Sequence, residues 1–140
     1  WEAARELKLP ILSHTWSIST YNPSQKNAFA GKFEKYVSEY PDVTFVFAHS
    51  GGRYDGIQEA VRIGKQHQNC YFDIAGDILG NGVLDYLVDN LGAGRIIYGS
   101  DCYMIEQRPM LGVVLGANLP AADKEKILRY NAQKVYFADV

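Results

Sequence analysis

The sequence lacks several features that would direct it to particular classes of protein. Its 140 residues include only two cysteines, Cys70 and Cys102, whose separation matches no zinc-finger or CxxC spacing. The 14 Lys and Arg residues form no cluster against 16 acidic residues, so neither a nucleic-acid nor a membrane partner is indicated. No apolar run approaches the ~20 residues of a membrane span. These absences predict a reduced, cytoplasmic protein whose partner is a small-molecule substrate.

Short apolar runs alternate with longer amphipathic stretches, which is the pattern of βα units and a parallel sheet. Four strands are predicted, at residues 9–14, 43–49, 70–74 and 95–101. Helical periodicity predicts helices at residues 26–40, 54–67 and 79–91, and a fourth that starts near residues 119–123 and runs to about residue 130. No linker or low-complexity segment interrupts this order, so we expect one compact unit of four βα repeats.

Four repeats are half of a (β/α)₈ barrel. The chain is 47% hydrophobic and long enough for one domain with a core, but a complete barrel needs roughly 250 residues. Trp1 also opens directly into a helix-like stretch. We therefore expect residues 1–140 to form a single partial (β/α)₈-barrel domain.

Three residues that can bind a metal or transfer a proton stand where predicted strands end. His14, His49 and Asp101 each close an apolar run, and the carboxyl ends of parallel strands carry function in such folds. Imidazole and carboxylate bind Zn²⁺ and similar divalent ions, which lower the pKa of bound water toward 7. Each residue alone has a commoner structural explanation. Their joint placement favours one site with a metal-activated water.

The loop after the second predicted strand leaves two interpretations open. Residues 50–52 can form an anion-binding nest or a tight turn, and the turn is favoured. Arg53 can clamp a substrate carboxylate through paired hydrogen bonds or form a surface ion pair. Asp73 lies within its predicted strand, so we expect it not to touch the substrate.

These segments resemble the amidohydrolase-related metalloenzymes, in particular the branch with aminocarboxymuconate semialdehyde decarboxylase and related decarboxylases, hydratases and lactonases. Residues 10–14, 45–52, 71–74 and 95–101 resemble the fifth to eighth barrel strands of that family. Asn131 and Ala132 resemble the start of its closing helix. The resemblance implies an α/β fold that is the C-terminal half of a (β/α)₈ TIM barrel.

The resemblance also implies a role for each matching residue. His14 is then a metal ligand, and His49 is a catalytic group that polarises the substrate or supports the metal. Asp101 is a ligand that also exchanges a proton with the metal-bound water. The implied cofactor is a divalent metal, with Zn²⁺ expected. The implied activity is hydrolysis or decarboxylation of a small carboxylated substrate, which Arg53 is a candidate to bind.

Two departures from the family pattern leave other functions open. Cys102 and Tyr103 follow Asp101 where the family commonly has an aromatic residue and then proline. The His-x-His pair of the family's first strand, which completes its metal site, does not occur here. The alternatives are a non-catalytic half-barrel or fragment and a phosphate- or sugar-binding α/β domain.

A four-stranded parallel sheet also predicts association. The strands that contain Ile11 and Ile96 are expected to form open edges, and an inner face rich in Val, Ile and Phe is expected to contact water. We therefore expect self-association, or pairing with a missing N-terminal half-barrel.

Overall fold

A parallel sheet forms the centre of the structure, a computed structural model that describes residues 1–18, 23–76, 78 and 80–137. Its strands are β1 Ile11–His14, β2 Phe45–Ala48, β3 Cys70–Asp73 and β4 Ile96–Ile97. They are adjacent in chain order, and every neighbouring pair is parallel. The predicted parallel α/β arrangement is confirmed, and all four carboxyl ends lie at one rim of the sheet.

Helices connect and flank these strands. They are α1 Glu2–Leu7, α2 Glu34–Glu39, α3 Tyr54–Gln66, α4 Val83–Leu91, α5 Gln107–Gly116, α6 Ala121–Glu125 and α7 Asn131–Tyr136. A π-helical turn, Lys126–Tyr130, joins α6 to α7. Short 3₁₀ turns occur at Pro23–Asn27, Ala30–Lys32, His49–Gly51 and Ala93–Arg95. Among the described residues, no helix has the length and apolar composition needed to cross a bilayer.

The predicted helix at residues 26–40 is wrong over its first half, because only Glu34–Glu39 is α-helical there. The carbonyl of Ala28 accepts a hydrogen bond from the amide of Trp16, in a different segment. Phe29 is extended, with φ −62° and ψ 130°. A helix cannot continue through a residue with these dihedral angles.

Other differences concern where elements begin and end. β4 has two residues instead of the predicted seven, because the amide of Tyr98 leaves the sheet and donates to the carbonyl of Ile127. α4 begins at Val83, and its predicted start at Leu79 lies outside the described residues. α5 was not predicted, because its two internal residues Pro109 and Gly112 have poor helix propensity.

The main core lies on one face of the sheet. Phe45, Phe47, Phe72 and Ile96 belong to the same buried cluster as the apolar residues of α3 and α4. Gly64 of α3 permits this packing, because a Cβ there would lie 2.4 Å from the ring of Phe72. The predicted amphipathic stripe of α3 is therefore the surface that covers the strands.

Part of the opposite face of the sheet is covered by α7, which corrects for that part the expectation that the face contacts water. Val46 and Ile97 are 0% and 2% exposed, and this cluster packs against Ala132 and Val135 of α7. As predicted, β1 and β4 are the outermost strands in the described part of the chain. The edge of β4 is not open, however, because the carbonyl of Ile96 accepts a hydrogen bond from Nδ2 of Asn131 and the amide of Tyr98 donates to the carbonyl of Ile127. Leu12 of β1 is 56% exposed.

Candidate active site

Two histidines meet at the carboxyl rim of β1 and β2. His14 is the last residue of β1, and His49 follows β2 directly. Their ring centroids lie 4.9 Å apart with an interplanar angle of 71°. Trp16 stacks on His14 at 5.7 Å and meets the ring of His49 edge-on at 5.5 Å. The structure thus brings these two predicted site residues together, and one indole ring contacts both.

The imidazole of His49 is held in one tautomer. Its Nδ1 lies 2.9 Å from the carbonyl oxygen of Ala75, and a carbonyl can only accept a hydrogen bond. Nδ1 therefore carries the proton, and the lone pair of the neutral ring is on Nε2. Gly76 leaves room for this ring, since a Cβ there would lie 2.7 Å from Nδ1. His49 consequently offers Nε2 as an acceptor or ligand.

The imidazole of His14 is more exposed than that of His49. Its Nε2 lies 2.8 Å from Oε1 of Gln25. In this arrangement Nε2 donates to the amide oxygen, so Nδ1 holds the lone pair of the neutral ring. A metal at this position would bind Nδ1, or Gln25 would have to turn away from Nε2.

The turn after β2, residues 49–52, has four consecutive positive φ angles. His49 and Ser50 have φ of 62° and 50°, and two glycines follow with 91° and 82°. The amide of Gly51 donates to Oγ1 of Thr15 at 3.0 Å, and the amide of Gly52 donates to the carbonyl of His49 at 2.7 Å. Because these two amides are already bonded within the protein, the segment is a tight turn, as favoured from sequence, and a nest for phosphate loses its donors.

Asp73 lies buried beneath this turn. Its Oδ1 accepts hydrogen bonds from the amides of His49 at 2.8 Å and Ala75 at 3.0 Å. Burial raises the pKa of the Asp73 carboxyl, the two amide hydrogen bonds oppose that rise, and the Asp101 carboxylate adds to it. Sequence analysis did not identify this contact with His49. The sequence did contain one signal for this contact, which is a carboxylate at the end of an otherwise apolar, buried strand.

Asp101 was predicted to be the last residue of a strand at residues 95–101. In the structure it lies beyond the end of β4. It has a positive φ of 59°, and its carbonyl accepts hydrogen bonds from the amides of Met104 and Ile105. Its charge acts on Asp73, so it lies near the same rim. In the described ranges, no three His, Cys, Asp or Glu side chains form a group that could hold a metal ion. Asp101 therefore does not join the two histidines in a three-ligand group in this structure, and its role as a metal ligand stays a prediction.

Arg53 follows the turn and is exposed to solvent. Its guanidinium carbon lies 5.7 Å from the ring centroid of Trp16. Together with Tyr54, Asn81 and Tyr86 it lines a cavity of about 520 Å³ beside the first turns of α3 and α4. Trp16 thus connects Arg53 to the histidine pair, while the role of Arg53 as a carboxylate clamp stays a prediction.

Solved structures with the same fold are about twice the length of this chain. An uncharacterised TIM-barrel protein from Bordetella bronchiseptica has a TM-score of 0.78 at 20% identity, over 96% of this chain and 48% of its own. A dihydroxybenzoic acid decarboxylase from Polaromonas sp. JS666, with bound manganese and the inhibitor 2-nitroresorcinol, has a TM-score of 0.67 at 16% identity, over 96% and 52%. An amidohydrolase from Burkholderia multivorans with bound zinc has a TM-score of 0.63 at 15% identity, over 76% and 48%.

The chain therefore has the fold of part of a TIM barrel and spans about half the length of these structures. A search of curated proteins found no match. The sequence profile of the amidohydrolase family matches residues 1–138, which is nearly the whole chain. On that match, the chain belongs to the amidohydrolase family.

Proposed function

We propose that this chain provides part of the active site of a metal-dependent hydrolase or decarboxylase that acts on a small carboxylated substrate. The observation that carries the proposal is the ring contact of His14 and His49 at the carboxyl rim of a parallel sheet, in a chain of the amidohydrolase family. Function in barrels of this type sits at that rim. The decarboxylase from Polaromonas supports an aromatic or other planar carboxylate as the substrate class.

We also propose that the four strands are the fifth to eighth of a (β/α)₈ barrel, in the branch that contains aminocarboxymuconate semialdehyde decarboxylase. The order of the strands and the partial coverage of longer TIM-barrel proteins fit four consecutive barrel strands. The motifs that resemble this branch end with His14, His49 and Asp101. Both cysteines are unpaired thiols, which is in keeping with a cytoplasmic location.

The ligand types at this rim, imidazole and carboxylate, suit a divalent metal, although no three of them form a group among the described residues. Imidazole nitrogen and carboxylate oxygen are ligands of Zn²⁺ and Mn²⁺, and similar structures contain manganese or zinc. We propose His14 and Asp101 as the protein ligands from this chain and Zn²⁺ as the ion. A bound divalent ion would lower the pKa of water and polarise a substrate oxygen.

The residues of this chain then have distinct tasks. Asp101 accepts a proton in the reaction and returns it to the product. His49 directs Nε2 toward the substrate, because its Nδ1–H is committed to Ala75. Arg53 pairs with the substrate carboxylate, for which its planar guanidinium is suited.

Zinc binding tests the ligand assignment directly. We expect His14→Ala and Asp101→Asn to weaken Zn²⁺ affinity at least tenfold in competition with a chromogenic chelator, because each removes or weakens a ligand. His67→Gln is the matched control, since His67 lies at the end of α3, away from the sheet's carboxyl rim. Equal losses in His14→Ala and His67→Gln would contradict the proposal.

Activity tests the roles of the other residues in an enzyme that contains this chain. Asp101→Asn should lower kcat by about 10²-fold or more, because an amide cannot accept the proton. Arg53→Lys should mainly raise KM, because the ammonium group of lysine cannot form the paired hydrogen bonds that a guanidinium forms with a carboxylate. An unchanged kcat in Asp101→Asn would overturn its assigned role.

A second candidate is a chain that needs ligands from another half-barrel before it can act. The described residues contain no group of three metal ligands, and β1 is an outermost strand of the sheet. We propose that the partner is an N-terminal half-barrel or a second copy of the chain. Light scattering at micromolar concentration should show association, because an exposed strand edge can pair with another chain. A stable particle with the 15.7 kDa mass of one chain would contradict this proposal.

A further inference from the structure

The last residue of β3 and the loop that follows it contact His49 at three points. Oδ1 of Asp73 accepts the backbone amide of His49 at 2.8 Å, and the carbonyl of Ala75 accepts its ring Nδ1–H at 2.9 Å. Gly76 lies against the same ring, where a Cβ would be 2.7 Å from Nδ1. The backbone and the ring of His49 are therefore both oriented by a loop from the neighbouring strand.

Asp73 joins these contacts into one unit. The same Oδ1 also accepts the amide of Ala75 at 3.0 Å, so one oxygen connects the backbone of His49 to the residue that holds its ring. The hydroxyl of Ser50 donates to the carbonyl of Asp73 at 2.6 Å. His49 and Ser50 both have a positive φ, which L-residues adopt only with such support. Loss of Oδ1 of Asp73 would therefore release both the backbone of His49 and the backbone of Ala75.

We infer that Asp73 is a positioning residue that sets His49 in its Nδ1-protonated tautomer and leaves Nε2 as the nitrogen available to the substrate. This inference rests on the catalytic role proposed for His49. The position of Oδ1 matters rather than its charge, because this oxygen accepts the backbone amides of both His49 and Ala75. A neutral acceptor of the same shape should therefore replace it, and a displaced carboxylate should not.

Three substitutions separate the position of this oxygen from its charge. Asp73→Asn keeps an acceptor in place without charge, Asp73→Glu keeps the charge but displaces the oxygen, and Asp73→Ala removes both. Long-range ¹H–¹⁵N spectra of the histidine rings report the tautomer without metal or substrate. We expect wild type and Asp73→Asn to keep Nδ1 protonated. Asp73→Glu and Asp73→Ala should show mixed tautomers, with exchange of the His49 amide at least tenfold faster.

Asn131→Ala is the control for the loss of a buried polar side chain. Nδ2 of Asn131 donates to the carbonyls of Ala93 at 2.7 Å and Ile96 at 2.6 Å, away from the turn. We expect this variant to leave the tautomer of His49 unchanged. The inference is overturned if Asp73→Glu keeps the wild-type tautomer, if Asp73→Asn loses it, or if Asn131→Ala disturbs it equally. The Asn and Glu variants decide the matter even where Asp73→Ala does not fold.

Kinetics in an enzyme that contains this chain separate this inference from the proposed function. Asp73→Glu should lower kcat about tenfold at an unchanged KM, while Asp73→Asn stays within about threefold of wild type. The expected tautomer shifts in a protein without activity or zinc binding would support the inference and overturn the proposed function. If the Asp73 variants leave the tautomer of His49 unchanged while Asp101→Asn inactivates the enzyme, the inference is overturned and the proposed function stands.

Discussion

The turn after β2 (residues 49–52) and the segment after β4 (residues 98–104) both place a candidate site residue in the left-handed conformation, but they are held differently. His49 and Asp101 have φ of 62° and 59°. His49 is buried and bonded to the loop after β3. Asp101 lies in a local turn where the amide of Cys102 donates to Oγ of Ser100, and Met104 is 83% exposed.

This difference teaches that one backbone conformation can be imposed in two ways. Tertiary hydrogen bonds orient a side chain before any ligand binds, whereas a local turn orients mainly the backbone. His49 is thus preorganised by tertiary hydrogen bonds, whereas the backbone carbonyl of Asp101 is bonded to the nearby amides of Met104 and Ile105. We therefore expect a bound metal or substrate to restrain the segment after β4 more than the turn after β2.

The largest expected effect comes from the closest backbone contact of the turn after β2. In Gly51→Ala the new Cβ would lie 2.1 Å from the carbonyl oxygen of Gly56, at a φ of +91°. We expect the free energy of unfolding in urea to fall by about 3 kcal/mol or more. Gly112→Ala in α5, where a Cβ meets nothing within 4 Å, should be neutral or slightly stabilising. Similar losses in both variants would refute the steric argument.

The next effect compares the hydroxyl groups that support the two segments. Oγ1 of buried Thr15 accepts the amide of Gly51 and donates to the carbonyl of Ala48. Thr15→Ala leaves that buried amide without an acceptor and should cost about 1–3 kcal/mol of unfolding free energy. Ser100→Ala removes one bond from a more exposed segment and should stay within about 0.5 kcal/mol. The comparison fails if Ser100→Ala proves the more destabilising.

Hydrogen exchange measures the same comparison without substitution. The amides of His49 and Gly51, which are bonded to neighbouring loops, should exchange more than tenfold slower than that of Cys102. Adding Zn²⁺ should slow exchange after β4 more than after β2, because the turn after β2 already has tertiary hydrogen bonds and Asp101 is the proposed ligand. A zinc effect confined to the turn after β2 would show that Asp101 is not a ligand.

The smallest expected effect concerns two ion pairs, Glu34 with Arg62 of α3 and Glu106 with Arg108 at the start of α5. Hydrogen bonds from Arg62 of α3 hold the pKa of the Glu34 carboxyl below its usual value. A lowered folded pKa adds stability above the unfolded pKa of about 4.5, which is lost as the pH falls through the folded value. Glu34→Gln should remove about 0.5 kcal/mol of this acid dependence, since the pair is partly exposed.

Glu106→Gln is the matched control for the segment after β4. Arg108 lowers the pKa of the Glu106 carboxyl in the same direction, but this pair is exposed to solvent. Its removal should therefore change the acid dependence of urea unfolding less than Glu34→Gln does. An equal or larger change in Glu106→Gln would contradict the view that the turn after β2 has the better-supported surroundings.

The sequence was sufficient for the order of strands and for the helix α3, because hydrophobic periodicity and turn residues are local properties. It also predicted that His14 and His49 end or follow strands, and the structure places their rings in contact. It failed for the first half of the helix at residues 26–40. There a contact from Trp16 to the carbonyl of Ala28 overrides the local pattern.

The sequence by itself determined the parallel α/β class, the family and the candidate residues at the strand ends, since each depends on residue type and spacing along the chain. Only the tertiary structure decided that Asp73 supports His49, since their contact joins residues 24 apart on different strands. It also decided that α7 covers part of the second face of the sheet. Hydrogen bonds and packing between distant segments depend on distances in space, and these leave no periodic signal in the sequence.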